Sequence, residues 1–281
     1  MIWELGDRSL DFGRCVQIMG ILNTTPDSFY DGGSYFGLSA AVERALEMVE
    51  EGADLIDIGG ESSRPAMYGE AVQVSVGEEC DRVVPVVEEV RRHSRVPISV
   101  DTTKADVARQ ALRAGADIVN DISALHGDEA MVEVLATSGA PLVLMHRRGT
   151  SATMQENTHY DDLLGEIEQF LQTRMAFAQA RGIAAERIAV DPGLGFGKSV
   201  EGNLQIVRHL ERFVSLGRPV LLGASRKSFI WKALDGAPED GLEGSLAVAV
   251  VGVLAGVHML RVHDVRSTVQ TVRLAEMIAK Y

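Results

Sequence analysis

The chain has 281 residues, of which 46% are hydrophobic, so it can bury a sizeable core. Its formal net charge of −13, with no run of Lys or Arg longer than two, argues against nucleic acid as a partner. The N-terminus lacks the apolar segment of a signal peptide, and the longest apolar run, 245–260, is shorter than the roughly 18 residues of a membrane span. We therefore expect a cytoplasmic protein without a membrane span, in which Cys15 and Cys80 are reduced core thiols.

The first predicted element is a small hairpin within residues 1–14, which turns at Gly6-Asp7 and which we expect to cap the bottom of the following barrel. Eight short and nearly continuous hydrophobic runs come next, a pattern typical of strands that are covered on both faces. These predicted strands span residues 16–22, 54–59, 97–101, 117–121, 141–146, 188–193, 219–225 and 258–264.

Helical patterns separate most of the predicted strands. The pattern of 39–52 is amphipathic, and Gly52 is placed to end that helix. Other helical patterns span 104–115, 128–139, 161–182, 203–214 and 266–280. The apolar run 245–257 is interpreted as a buried helix, and its sequence fits a dimer face as well as a helix buried in the barrel. Eight strands with crossovers and no linker favour a single (β/α)8 TIM barrel over 15–281, one domain with the hairpin, rather than an open doubly wound sheet.

Polar residues follow the carboxyl-terminal ends of all eight predicted strands. In a barrel these ends meet on one rim, where the active sites of this fold are built. Asp101, Asn120 and Asp191 offer acceptor oxygens that suit a flat heterocycle with several N–H groups along one edge. The alternative for each of these residues is that it caps the helix that follows.

Cationic residues follow the last two predicted strands. Arg261 and His263 alternate with Val262, so both point to the same side, where an Arg beside a His suits phosphate oxygens. The alternative is a surface pair at the end of a strand. Lys227 is either a second cation for the ligand or a solvated helix start, and the glycine-rich turn 193–197 is too short for a Walker A loop.

Eight segments resemble, in chain order, the motif series of the dihydropteroate synthase family. They are MGILNTTPDSFYDGG, GADLIDIGGESSRP, VPISVDTTKADVA, GADIVNDIS, LVLMH, DPGLGFGK, ASRKSFI and RVHDV. The resemblance implies a (β/α)8 barrel, usually a homodimer, that condenses 6-hydroxymethyl-7,8-dihydropterin diphosphate with 4-aminobenzoate. The products would be 7,8-dihydropteroate and pyrophosphate, and sulfonamides would compete for the aminobenzoate position.

The resemblance also implies roles for individual residues. The polar edge of the pterin would be held by Asp101, Asn120, Asp191 and Lys227, and its faces by Ile122, Met145, Phe196 and Gly223. Asn23 would coordinate Mg²⁺ together with the diphosphate, which would be contacted or positioned by Ser63, Arg64, Arg261 and His263. Val262 is a further implied substrate-binding residue. Aminobenzoate would be enclosed by Thr25, Pro26, Asp27, Phe29, Ser63, Arg64, Pro65, Phe196, Ser225 and Lys227. The implied catalytic residues are Asn23, Asp101, Lys227, Arg261 and His263.

These residues suit a dissociative displacement, in which Mg²⁺ and the cations stabilise the departing pyrophosphate before the amine attacks. The chain departs from the family pattern at Ser63, Ser151, Trp231 and Gly241, none of which removes an assigned charged or hydrogen-bonding group. Two alternatives remain at this point. One is a pterin-dependent methyltransferase that passes a methyl group to a corrinoid protein, and the other is a non-catalytic pterin-binding barrel.

Overall fold

The structure of the protein, a computed structural model, describes residues 1–24, 34–62, 74–150 and 152–280, without the side chains of residues 34–36 and 240. The strands of this part are β1 Ile2–Leu5, β2 Arg8–Asp11, β3 Gln17–Asn23, β4 Leu55–Gly59, β5 Ile98–Asp101, β6 Ile118–Asp121, β7 Leu142–Met145, β8 Ile188–Asp191, β9 Leu221–Leu222 and β10 Met259–Val262. The α-helices are α1 Ser34–Glu50, α2 Val76–His93, α3 Ala105–Ala114, α4 Met131–Ser138, α5 Leu163–Ala180, α6 Val200–Arg208, α7 Leu210–Val214, α8 Ser228–Ala233, α9 Gly241–Leu254 and α10 Val265–Ala279.

The eight strands from β3 to β10 form one parallel sheet in the order β8-β7-β6-β5-β4-β3-β10-β9. A parallel bridge between Val190 and Val220 joins the two edges of this sheet, so that it closes into a barrel. Helices follow the strands and cover the outside of the barrel, as right-handed parallel crossovers require. The predicted (β/α)8 barrel is confirmed.

The N-terminal hairpin closes the amino-terminal end of the barrel. β1 and β2 pair in antiparallel register on either side of Gly6-Asp7, as predicted. Trp3 is 1% exposed, and its indole Nε1 donates a hydrogen bond of 2.9 Å to the carbonyl of Glu186. The hairpin side chains share one hydrophobic cluster with residues at the starts of the barrel strands: Trp3, Leu5, Leu10, Phe12, Met19, Leu55, Ile118, Val143, Ala189, Leu221 and Met259.

Three helical features differ from the sequence prediction. Helix α2 was not predicted because it contains Pro85, which is unfavourable inside a helix; five hydrophobic residues between Cys80 and Val90 are nevertheless buried on one of its faces. The single helix predicted over 203–214 is interrupted at His209, whose backbone leaves the helical region.

The third difference concerns α9. Its apolar sequence was interpreted as a helix buried either by the barrel or in a dimer. On the single chain Val251 is 41% and Leu254 is 60% exposed, so the barrel alone does not bury this helix. The two cysteines are free thiols, with Cys80 buried and Cys15 half-buried. Among the described residues, no helix combines the length and the apolar character needed to cross a membrane.

Candidate active site

Alternation along the strands separates the barrel interior into an apolar and a polar level. On β4, Leu55 joins the hydrophobic cluster at the hairpin end, whereas Ile56 and Ile58 pack outward against the helices. Because side chains two residues apart share a face, Asp57 points inward one step above Leu55. The same step leads from Met259 to Arg261 on β10 and from Ala189 to Asp191 on β8. The polar level therefore lies at the carboxyl-terminal end of the barrel.

Arg261 is held between two carboxylates of this polar level. Its Nε donates to Asp57 Oδ2 at 2.6 Å, and its Nη2 donates to Asp101 Oδ2 at 2.7 Å. Asn120 Nδ2 donates to the same Asp57 oxygen at 3.2 Å. One hydrogen-bonded group thus joins the four strands β4, β5, β6 and β10. Asp101 pairs with Arg261 instead of capping α3.

Burial controls the charges of this group. The side chains of Asp57, Asp101 and Arg261 are 0%, 12% and 19% exposed. Burial raises the pKa of Asp101 to about 7, although Arg261 opposes the rise. Burial alone would lower the pKa of Arg261, but Asp57 and Asp101 outweigh it and raise that pKa, so the guanidinium is charged.

Asp191, Lys227 and Arg261 meet around Gly223. An ideal Cβ on this glycine would lie 3.8 Å from Lys227 Nζ and 3.9 Å from both Asp191 Oδ2 and Arg261 Cβ. Burial raises the pKa of Asp191, and it lowers the pKa of Lys227 to about 8, while each residue opposes the shift of the other. The structure therefore brings one acid and two cations to one side of the opening at the carboxyl-terminal end of the barrel, which we call the mouth. Because position 223 is glycine, no side chain fills the space between them.

Hydrophobic residues provide a wall beside this polar group. Met145, Met154 and Phe196 form a buried cluster against which Ile122 packs. Lys227 Nζ lies 4.5 Å from the centre of the Phe196 ring and donates to the carbonyl of Leu194 at 2.5 Å. A buried apolar wall with a few converging polar groups is the usual form of a binding site for a flat ligand.

The remaining rim residues belong to three strand ends. His263 donates its backbone N–H to Ser225 Oγ at 3.1 Å, and its ring Nδ1 lies 3.0 Å from the same oxygen. Asn23 ends β3 and is half-buried, in register with Gly59. Val262 packs in the outer core between strands and helices, so only its backbone borders the mouth.

Some predicted residues lie outside the described part of the chain: Thr25, Pro26, Asp27, Phe29, Ser63, Arg64, Pro65 and Ser151. Of the other departures from the family pattern, Trp231 lies in α8 with Lys232 Nζ 5.5 Å from its ring. Gly241 starts α9 in a buried position, where a Cβ would lie 3.2 Å from the Cα of Arg226. The close backbone approach explains why a small residue suits position 241.

Sequence reasoning missed three buried residues at this end of the barrel. Asp57 could have been found from its alternation with Leu55 and Gly59 in the strand pattern. Lys198 and His146 stood in recognised motifs, but only the structure shows Lys198 Nζ 3.0 Å from His146 Nδ1. Burial lowers the pKa of His146 to about 2, so its imidazole is neutral.

Two cavities differ in what they can bind. A small one of about 60 Å³ opens beside Asp101 and Ile122 at the mouth. A cleft of about 630 Å³ lies on the flank of the barrel between His126 and helix α5. The buried cation of the flank cleft, Arg174, already donates to the backbone carbonyls of residues 124 and 125, so the mouth is the better candidate site.

The fold and the site together define a pterin-binding barrel. The family model described as "Pterin binding enzyme" matches residues 19–263. The chain is 44% identical to a dihydropteroate synthase from Synechocystis, over 98% of this chain and 94% of that protein. The structure of the Yersinia pestis dihydropteroate synthase with a sulfonamide drug is 41% identical, with a TM-score of 0.93 and full coverage of both chains. The Xanthomonas albilineans enzyme with 4-aminobenzoic acid is 40% identical, with a TM-score of 0.92, covering 100% of this chain and 98% of that one.

The chain belongs to the pterin binding enzyme family and, within it, to the dihydropteroate synthases. It is a transferase of folate synthesis that condenses 6-hydroxymethyl-7,8-dihydropterin diphosphate with 4-aminobenzoate. These similarities favour the synthase over both alternatives considered for the sequence, the corrinoid methyltransferase and the non-catalytic barrel.

Proposed function

We propose that the carboxyl-terminal mouth binds the pterin by its polar edge and carries out this condensation through early departure of pyrophosphate. The observation that carries the proposal is the convergence of Asp191, Lys227 and Arg261 around Gly223. Asp191 would accept hydrogen bonds from the N–H groups of the pterin, with Asn120 and Lys227 completing the edge. A buried carboxylate is costly without such donors, and its raised pKa expresses that cost.

Apolar groups would lie against one face of the pterin ring. Ile122, Met145 and Phe196 are already packed together there, so the ring would enter a preformed slot. Arg261 and Asp101 would border the ring where positive charge develops after pyrophosphate leaves. An ionised Asp101 would favour that charge, and no strong base is needed because an aromatic amine is unprotonated at neutral pH.

Asn23 is proposed as the protein ligand of Mg²⁺. Within the described ranges, no three His, Cys, Asp or Glu side chains are grouped to hold a metal ion. The carboxamide oxygen of Asn23 is a hard donor, and Mg²⁺ is commonly bound by one or two protein groups together with phosphate oxygens and water. The ion would neutralise charge on the diphosphate, while Arg261 and His263 hold the same anion as it leaves.

The aminobenzoate position is proposed next to Phe196, Ser225 and Lys227. One solved relative is in complex with a sulfonamide drug and another with 4-aminobenzoic acid, which supports the proposal that this chain binds both kinds of ligand. Seven residues from two segments outside the described ranges would complete this position: Thr25, Pro26, Asp27, Phe29, Ser63, Arg64 and Pro65.

The exposed apolar face of α9 and α10 is proposed as a homodimer interface. Leu254, Leu274 and Ile278 are between 59% and 64% exposed, although α9 is apolar around its whole circumference. A helix of this kind is normally buried, so a second copy is the expected cover. Light scattering should give twice the chain mass, and Leu254→Lys with Ile278→Lys should give the single mass; a wild-type monomer would contradict the interface.

Cytoplasmic location and the absence of a nucleic-acid partner stay predictions.

The reaction is tested by measuring pyrophosphate release from the pterin diphosphate with and without 4-aminobenzoate and Mg²⁺. We expect release coupled to 7,8-dihydropteroate formation, dependence on Mg²⁺, and inhibition by a sulfonamide that 4-aminobenzoate relieves. Mass spectrometry of the product distinguishes this outcome from methyl transfer. Tight pterin binding without turnover would contradict the proposal.

A further inference from the structure

Lys198 is a buried lysine that, among the described residues, has no carboxylate partner in direct contact. Its residue is 3% exposed, and its Nζ lies 2.8 Å from the carbonyl of Gly193 and 2.9 Å from that of Phe196. The third neighbour of this nitrogen is His146 Nδ1 at 3.0 Å. A fourth and longer contact, of 3.4 Å, joins this nitrogen to the carbonyl oxygen of His146. Backbone oxygens and one imidazole thus satisfy the hydrogen-bonding capacity of the buried amine.

The two carbonyls are at the two ends of one turn. Gly193, Gly195 and Gly197 all have positive φ, of +71°, +83° and +71°. A Cβ on Gly193 would lie 1.9 Å from the carbonyl oxygen of His146, so the turn is pressed against the end of β7. Lys198 therefore ties together a glycine-rich backbone that has few side chains of its own to keep its shape.

The same turn carries the contacts of the proposed pterin edge. The backbone N–H of Gly193 donates to Asp191 Oδ1 at 2.7 Å. The carbonyl of Leu194 accepts from Lys227 Nζ at 2.5 Å. A shift of this turn would therefore move the acid and the cation together.

We propose that Lys198 is a positioning residue for the substrate: its buried amine holds the turn 193–197, which in turn sets the places of Asp191 and Lys227. It touches neither the ligand nor the reacting atoms. The inference rests on the proposed pterin-binding role of those two residues and adds the group that keeps them in register.

The contacts between Lys198 and the turn 193–197 do not depend on the charge of the lysine. Burial lowers the pKa of Lys198 well below its usual value, and the neutral His146 ring can serve as acceptor or donor. A charged amine donates to His146 Nδ1, whereas a neutral amine accepts from a protonated Nδ1 and still donates to both carbonyls. The turn is thus tied in either state.

The test compares Lys198→Met with a matched variant at the other end of the barrel. Arg91 also donates to three backbone carbonyls, of Ser94, Val96 and Gly115, but it lies by the starts of β5 and β6. Titration calorimetry with 6-hydroxymethyl-7,8-dihydropterin diphosphate measures Kd, and urea unfolding measures stability for each variant. Steady-state assays add kcat and the KM for both substrates.

We expect Lys198→Met to raise the pterin Kd roughly 10- to 100-fold, with a larger change in KM than in kcat, because a displaced edge binds poorly. Arg91→Met should lower stability and leave the pterin Kd unchanged. Lys198→Gln keeps two N–H donors, so its Kd should fall between those of wild type and Lys198→Met, and it serves as the test if the methionine variant does not fold.

Two results would overturn the inference: a pterin Kd that Lys198→Met, or Lys198→Gln in its place, leaves at the wild-type value, or an equal loss of affinity in Arg91→Met. In both cases the wild type still binds pterin, so the proposed function stands. A wild-type protein that binds no pterin would instead refute the proposed function itself.

Discussion

The two ends of the barrel are built from the same strands and have opposite chemistry. At the amino-terminal end, Trp3, Leu10 and Phe12 of the hairpin pack on apolar strand residues in one buried cluster. Two residues further along β4 and β10, Asp57 and Arg261 replace Leu55 and Met259. One step of strand alternation therefore separates the apolar residues at the hairpin end from the polar residues of the proposed site.

The two ends also differ in how burial affects the free energy of folding. Apolar burial at the hairpin end contributes roughly 25 cal/mol per Å² to folding. At the other end, burial raises the pKa of Asp101 and Asp191, a cost that fits their proposed role in binding. Variants at the two ends should accordingly separate stability from activity.

The largest effect is expected for Trp3→Ala at the apolar end. Removing this fully buried side chain and its hydrogen bond to Glu186 should lower the free energy of unfolding by about 3–5 kcal/mol. Urea unfolding measures the loss, and Ile2→Ala, on the same hairpin but 53% exposed, is the control. The KM values of Trp3→Ala should stay at wild type below its melting range; a raised pterin KM would erase the proposed division between the two ends.

The next effect is expected for Arg261→Met at the polar end. Loss of the cation that is proposed to hold the leaving group should lower kcat by about 10²- to 10³-fold, with a smaller loss of pterin affinity. Stopped-flow pyrophosphate release and calorimetry measure the two quantities. Arg226→Met, which removes the exposed pair with Asp264, is the matched control. Equal losses in turnover and in pterin affinity would reject the leaving-group role.

A smaller effect is expected for Asp191→Asn. The amide has nearly the same shape, but one of its atoms donates where the pterin also donates, so pterin affinity should fall roughly 10- to 100-fold. Calorimetry with the pterin diphosphate measures this loss. Unchanged affinity would show that Asp191 does not hold the edge.

The smallest effect is expected in the pH dependence of stability. Because the pKa of Asp101 is raised from its unfolded value of 3.8 to about 7, the folded state holds the proton more tightly. The contribution of this group is therefore fully present below pH 4 and lost as the pH rises to about 7. Urea unfolding should show that the free energy of unfolding of the wild type is lower at pH 8 than at pH 5. In Asp101→Asn this decrease should be smaller by on the order of 1 kcal/mol. Equal drops in both proteins would contradict the shift.

Much of this arrangement was predictable, since alternation and strand ends are local properties of a sequence. Asp101, Asn120, Asp191 and Arg261 follow apolar runs directly, so topology alone brings them to one rim. The family resemblance supplied their proposed roles. Helix α2 escaped prediction because Pro85 argues against a helix locally, while burial of its opposite face overrides that preference.

What was not predictable depends on contacts between distant residues. Asp57 and Arg261 form a hydrogen bond although they are 204 positions apart in the chain, and Lys198 contacts His146 across 52 positions. The exposure of α9 on the single chain could not be predicted, because an apolar helix has the same sequence whether a barrel or a second chain covers it.

The most direct measurement is a crystal structure of the protein with the pterin diphosphate and Mg²⁺. Our account predicts the ring against Phe196 with its amino edge on Asp191, and the diphosphate beside Asn23, Arg261 and His263. A ring bound in the flank cleft by Arg174, or one whose diphosphate points away from Arg261, would contradict it.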